Sequence, residues 1–124
     1  MIVKKLAPEE LTKFSEGVFF GPTLPSEGAG KPPFNAIWVK IAEGKETPLH
    51  RHHDLEFFII AQGRGLATCD GESVAVGPGD VLYFPPLSYH TIRCTSGEVD
   101  LLMLDLYWAD MTAVEAQEAA AKLL

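Results

Sequence analysis

The chain reads as an all-β domain, an antiparallel sandwich or barrel. Short runs rich in β-branched and aromatic residues recur along most of its length. Turns built on Gly and Pro separate them, and no repeated helical segment lies between them. The 124 residues suffice for one domain, 1–124, with one core. A hydrophobic share of 47% is enough to build that core without disulfide staples.

Taken in order, residues 1–20 start with a short strand or arm. Pro8-Glu9-Glu10 then predicts the first turn of a short N-terminal helix. Proline presets the helical φ, and acidic side chains favour the positive end of the helix dipole. Residues 21–33 are a loop by composition, read either as a functional lid or as a wrap across the barrel surface or a dimer seam. From Asn35 to Ala42 the pattern alternates, with Ile37, Val39 and Ile41 on one face and Trp38 and Lys40 on the other, which predicts a half-buried strand. Asp70-Gly71 between Leu66–Cys69 and Ser73–Val76 is a hairpin signal. Further strands are expected at Val81–Phe84, His90–Cys94 and Val99–Tyr107. The last is apolar on both faces, as in a strand that is central or sits at a subunit interface. Thr112 and Glu115 fit a capping box, and the residues after them are helix formers, so a C-terminal helix is expected over about 112–123.

A formal charge of −7 argues against nucleic acid or an anionic membrane as partner. The N-terminus lacks the apolar run of a signal peptide, and no segment approaches transmembrane length. Cys69 and Cys94 form no C-x-x-C pair, and we read them as reduced thiols in a cytoplasmic protein.

The chemistry concentrates between Gly44 and His90. His50 and His52 are two apart, so in an extended chain their imidazoles project to one side. Glu56, Phe58 and Ile60 keep that parity, and His90 opens a later β-branched segment. Three neutral imidazoles and one carboxylate suit a divalent ion and would leave positions open for substrate. Unpaired, the same groups would be costly to bury. His53 has the opposite parity and reads as a turn or surface residue. Cys94 shares parity with His90 and Ile92, which places it either near the metal or in the core as a small hydrophobe. Phe58, Ile60, Ile92 and Cys94 are the candidate pocket residues. Tyr83, Tyr89, Tyr107 and Trp108 stay unassigned between pocket and core. Lys40, Arg51, Arg64 and Arg93 are the cations able to orient an acidic substrate, and Arg51 and Arg93 are expected to point outward.

The stretch from Gly44 to Gly63 resembles the first cupin motif, G-x5-H-x-H-x3-E-x6-G, at Gly44, His50, His52, Glu56 and Gly63. The stretch from Gly79 to Cys94 resembles the second motif, G-x5-P-x-G-x2-H-x3-N, with Gly79, Pro85 and His90 in place. Leu87 stands where the family usually has glycine, and Cys94 where it often has asparagine. The resemblance implies a cupin (double-stranded β-helix, or jelly-roll) barrel that pairs as a homodimer. It also implies one divalent ion per chain, Fe, Zn, Mn or Ni, on His50, His52, Glu56 and His90. It further implies a dioxygenase of the Fe(II) type acting on a small chelating molecule. The alternatives are a Zn(II) Lewis acid in small-molecule biosynthesis and a non-catalytic binding module. A looser likeness at Glu56-Phe-Phe-Ile-Ile and Asp105-Leu-Tyr-Trp points to the cupin portion of hydrazine-forming synthetases, whose synthetase-like partner would then be a separate protein.

Overall fold

The computed structural model describes residues 1–109 and residue 121. A single 3-10 turn at Pro8–Glu10 leads into nine strands. They are β1 (Thr12–Ser15), β2 (Val18–Pro22), β3 (Asn35–Ile41), β4 (Asp54–Gln62), β5 (Gly65–Cys69), β6 (Glu72–Val76), β7 (Val81–Phe84), β8 (His90–Cys94) and β9 (Leu101–Ala109). Six form one sheet in the order β1-β2-β3-β9-β4-β7, and three form a second in the order β6-β5-β8. Every pairing is antiparallel.

Alternation decides which face each strand buries. On β4, Glu56, Phe58 and Ile60 are buried while Leu55, Phe57 and Ile59 are half-buried. On β9, Leu101, Met103 and Asp105 are buried and the residues between them are half-buried. The core joins both sheets: Val39, Ile41, Phe58, Ile60 and Met103 meet Ala67, Val76, Ile92 and Cys94. Each Val, Ile, Phe or Met among them contributes about 1.5–3 kcal/mol over leaving it exposed. β9 lies between β3 and β4, the central position its two apolar faces allowed.

The hairpin at Asp70-Gly71 forms as expected. Both turn residues have positive φ, 48° and 86°, the signature of the turn whose twist matches the flanking strands.

Several expectations are corrected. The N-terminal helix is one 3-10 turn with no continuation: Leu11 is already extended, and Thr12–Ser15 pair with β2 instead. The ladder with β2 outweighs the local helix preference of Pro-Glu-Glu. The last strand starts at Leu101, two residues later than expected, because Gly97 turns the chain with φ 87° and leaves Val99 exposed. The C-terminal helix expected over about 112–123 lies outside the described residues, apart from residue 121.

Candidate metal centre

His50 and His52 precede β4 rather than belonging to it. Their segment runs beside β8 through two isolated bridges, Glu46 with Arg93 and His50 with His90. Thr47 locks it there. Its backbone N–H donates to Ile92 O at 3.0 Å, and its hydroxyl accepts from Ile92 N–H at 3.0 Å. The chain stays extended enough for parity to hold, so His50, His52, Asp54 and Glu56 all face inward. Glu56 comes from the larger sheet and His90 from the smaller one.

One donor atom from each of His50, His52, Glu56 and His90 lies within 4.8 Å of the others. Glu56 Oε1 is 3.2 Å from both His52 Nε2 and His90 Nε2. Backbone carbonyls settle two tautomers, since a carbonyl only accepts. His50 Nδ1–H donates to Pro48 O at 2.7 Å, and His90 Nδ1–H donates to Ser88 O at 3.1 Å. Both Nε2 atoms are therefore left as lone-pair donors. Phe84 stacks on the His90 ring, with centroids 4.2 Å apart and planes within 8°, and fixes its tilt.

The donor set fits a divalent ion. His90 Nε2 and His52 Nδ1 are buried without a hydrogen-bond partner. Unpaired buried nitrogens cost free energy that coordination would remove. Neutral imidazoles with one carboxylate match what first-row metals accept.

The electrostatics centre on two carboxyls. Burial alone would raise Glu56, but its close approach to the His90 and His52 imidazoles and its interaction with the Asp105 carboxyl hold it below its usual range. Asp105 is pushed up to about 9, first by burial and then by the hydrogen bond and charge of Glu56. The two shifts run in opposite directions and favour a charge on Glu56 with the proton on Asp105. Burial, and then the charges of Asp105, Asp54 and Glu56, also raise the Tyr107 hydroxyl.

The cluster opens into a cavity of about 320 Å³. Phe14 and Phe20, stacked at 4.5 Å, form one wall with Ile37, Val39 and Phe58. Thr47, Asp54, Asp105 and Tyr107 complete the polar lining. Of the four pocket candidates, Phe58 lines this cavity. Ile60, Ile92 and Cys94 are packed in the core instead. Cys94 lies at the far end of β8 from His90, opposite Gly65, with its sulfur 3.5 Å from Glu43 Oε2. Parity placed these three inward, but inward includes the filled end of the sandwich.

Tyr107 is the one unassigned aromatic that reaches the cavity. Tyr83 and Trp108 flank Phe57 on the outer face at 5.2 and 5.4 Å, and Tyr89 carries Arg51 at 4.9 Å. Neither His53 nor any of Lys40, Arg51, Arg64 and Arg93 lines the cavity, and no residue of 21–33 does. Phe14, Phe20 and Asp105 are among the lining residues the sequence reading did not single out. The alternation of Phe14 and Phe20 about Glu16-Gly17 was a usable hairpin signal. A lone acid in the apolar run Leu101–Leu106 was a usable sign of a functional side chain.

Comparison with known proteins places this geometry. A protein from Salinispora arenicola described as a Cupin 2 conserved barrel domain protein superposes with a TM-score of 0.76 at 25% identity, covering 90% of this chain and 91% of that one. The plu4264 protein of Photorhabdus luminescens gives 0.76 at 20% identity over 98% of each chain. A predicted oxalate decarboxylase from Thermotoga maritima gives 0.71 at 24% identity, covering 88% and 99%. The uncharacterized protein MJ1618 of Methanocaldococcus jannaschii is 42% identical over 62 residues, and the match spans about half of each chain, 49%. The cupin domain family model matches residues 37–107, from β3 to near the end of β9, and so takes in all four clustered side chains. With more than half of its length matched, the chain belongs to the cupin domain family.

Proposed function

We propose that this chain is a metal-dependent cupin enzyme, a dioxygenase of the Fe(II) type acting on a small molecule that chelates the metal. The observation that carries the reading is the convergence of four donors within 4.8 Å beside a cavity of about 320 Å³. When bound, the metal would supply the redox and Lewis-acid chemistry at this point. Both atoms of dioxygen would enter the product, so the reaction needs no external reductant.

The protein's own contribution is positional. Pro48 and Ser88 carbonyls hold the His50 and His90 rings with Nε2 forward. Glu56 is kept ionised by its imidazole neighbours and by the proton on Asp105. Phe14, Phe20 and Phe58 would shield the reacting face from water. We further propose that the outer-face cluster of Phe57, Tyr83 and Trp108 joins two copies as a homodimer in the cytoplasm. No helix among the described residues is long and apolar enough to cross a membrane.

The test is metal content by mass spectrometry on anaerobically purified protein, with His90→Ala alongside, followed by oxygen-uptake screens. We expect near-stoichiometric iron in the wild type and none in the variant. Zinc that Fe(II) does not displace would replace the dioxygenase with a Lewis-acid enzyme or a binding module. No metal in either protein would remove the metal site itself.

A further inference from the structure

The inner row of β9 reads Leu101, Met103, Asp105, Tyr107. Asp105 is the one carboxyl in it, set in register between Ile37 of β3 and Phe58 of β4. It is only 4% exposed, and its Oδ1 has no hydrogen-bond partner. It nevertheless borders the cavity. A buried polar group flanked by apolar side chains costs stability unless something uses it. Only Oδ1 is left unpartnered, while the carboxyl also faces Glu56. That oxygen remains an acceptor, and a carboxyl turns easily about its last torsion.

The rest of the lining sharpens the point. Asp54, Glu56 and Asp105 supply three carboxyls, and among the described residues no Lys or Arg lines the cavity. An anionic ligand would find no protein cation to pair with, and burying a further carboxylate beside these three is unfavourable. The remaining wall is largely aromatic and aliphatic. A cavity of about 320 Å³ is roughly twice the 150 Å³ that encloses benzene.

We propose that this cavity selects a neutral or cationic small molecule with an apolar, ring-sized body and a hydroxyl or amine group, and that Asp105 receives that group. The inference rests on the cavity being the substrate site of the proposed enzyme. It deepens that reading by assigning the group that faces the protein lining, away from the metal, as neutral or cationic.

Four probes of one shape test it: benzyl alcohol, benzylamine, benzoate and toluene. Each is titrated into metal-free protein at about pH 8, where benzylamine is still largely a cation. Binding is followed by the NMR shifts of Ile37, Val39 and Phe58. We expect the alcohol and the amine to bind at least about tenfold tighter than benzoate, a 1.4 kcal/mol difference. In Asp105→Leu the advantage of the alcohol over toluene should fall below about twofold, whereas Asp105→Asn, which keeps a carbonyl acceptor, should retain it. Benzoate matching or exceeding the alcohol in the wild type would overturn the proposal without any variant. So would an alcohol preference that survives Asp105→Leu, because a residue serving only to orient Glu56 would leave it intact. Absence of cavity shifts with every probe at about 10 mM would also overturn it. Zinc binding is measured separately on the same samples, so failure of the metal site and failure of this selectivity are distinct results.

Discussion

Exchanging Asp105 for asparagine should make the metal-free protein more stable at neutral pH, and the gain should vanish in acid. The Asp105 carboxyl stands at about 9 in the fold against an ordinary value of 3.8. Between those values the fold holds a proton that the unfolded chain has released. Stability is therefore fullest below the lower value and is lost as pH rises toward the upper one, by at most about 1.4 kcal/mol per pH unit. From 3.8 to neutrality the ceiling is about 4 kcal/mol. The carboxyl borders an open cavity, and solvent relaxation there should leave about 1–3 kcal/mol. The amide carries no titrating proton, keeps the shape and still donates to Glu56. Urea unfolding of chelator-treated wild type and D105N, between about pH 4.5 and 9, reads the gap directly. It should be near zero at the acid end and widen steadily. A gap of constant size, or a wild type that gains on the variant as pH rises, would refute the placing of the proton on Asp105.

Three further outcomes are expected. Zinc at about one hundred times its Kd should stabilise the protein by about 2.7 kcal/mol, and His90→Ala should abolish the resulting Tm rise. Gly63→Ala should cost about 2–4 kcal/mol by urea unfolding, because the residue has φ 84° and an added Cβ would sit 2.6 Å from Asp100 O and 3.0 Å from Leu101 Cα. Leu87 holds a left-handed φ of 64° where cupins usually place glycine, while its N–H donates to His52 O at 2.7 Å. Leu87→Gly should stay within about 1 kcal/mol of wild type on the stable side, whereas Leu87→Val should lose about 1–2 kcal/mol, both read as urea midpoints.

The clustering of the four donors was legible because it is written in spacing. H-x-H-x3-E keeps one parity, and that parity survived although His50 and His52 stand outside β4, since Thr47 pins their segment against β8. The central strands were legible for the same reason. What stayed hidden depends on pairing. Pro8-Glu9-Glu10 carries a real helix signal that one turn satisfies before the β1–β2 ladder takes over. Ile60, Ile92 and Cys94 share the inward parity of the ligands, and parity does not say how far along the sandwich a side chain lies. Asp105 could be placed opposite Phe58 only once the register of β9 on β4 was known. The Pro48 and Ser88 carbonyls that orient the imidazoles are backbone groups and leave no trace in residue type.

The division of ligands between two sheets has a kinetic consequence. Glu56 belongs to the six-stranded sheet and His90 to the three-stranded one, with about 34 residues of chain between them. An ion held by both would act as a cross-link at the mouth of the sandwich. Closing a loop of that length removes about 3–4 kcal/mol of chain entropy from the unfolded state in the loop-closure picture. The two sheets are brought together by contacts distant in sequence, which form late in folding. Metal loading would then act chiefly on the rate of coming apart and leave the rate of assembly nearly unchanged. The folded protein would persist longest in cells that keep it loaded, and its lifetime would report metal supply.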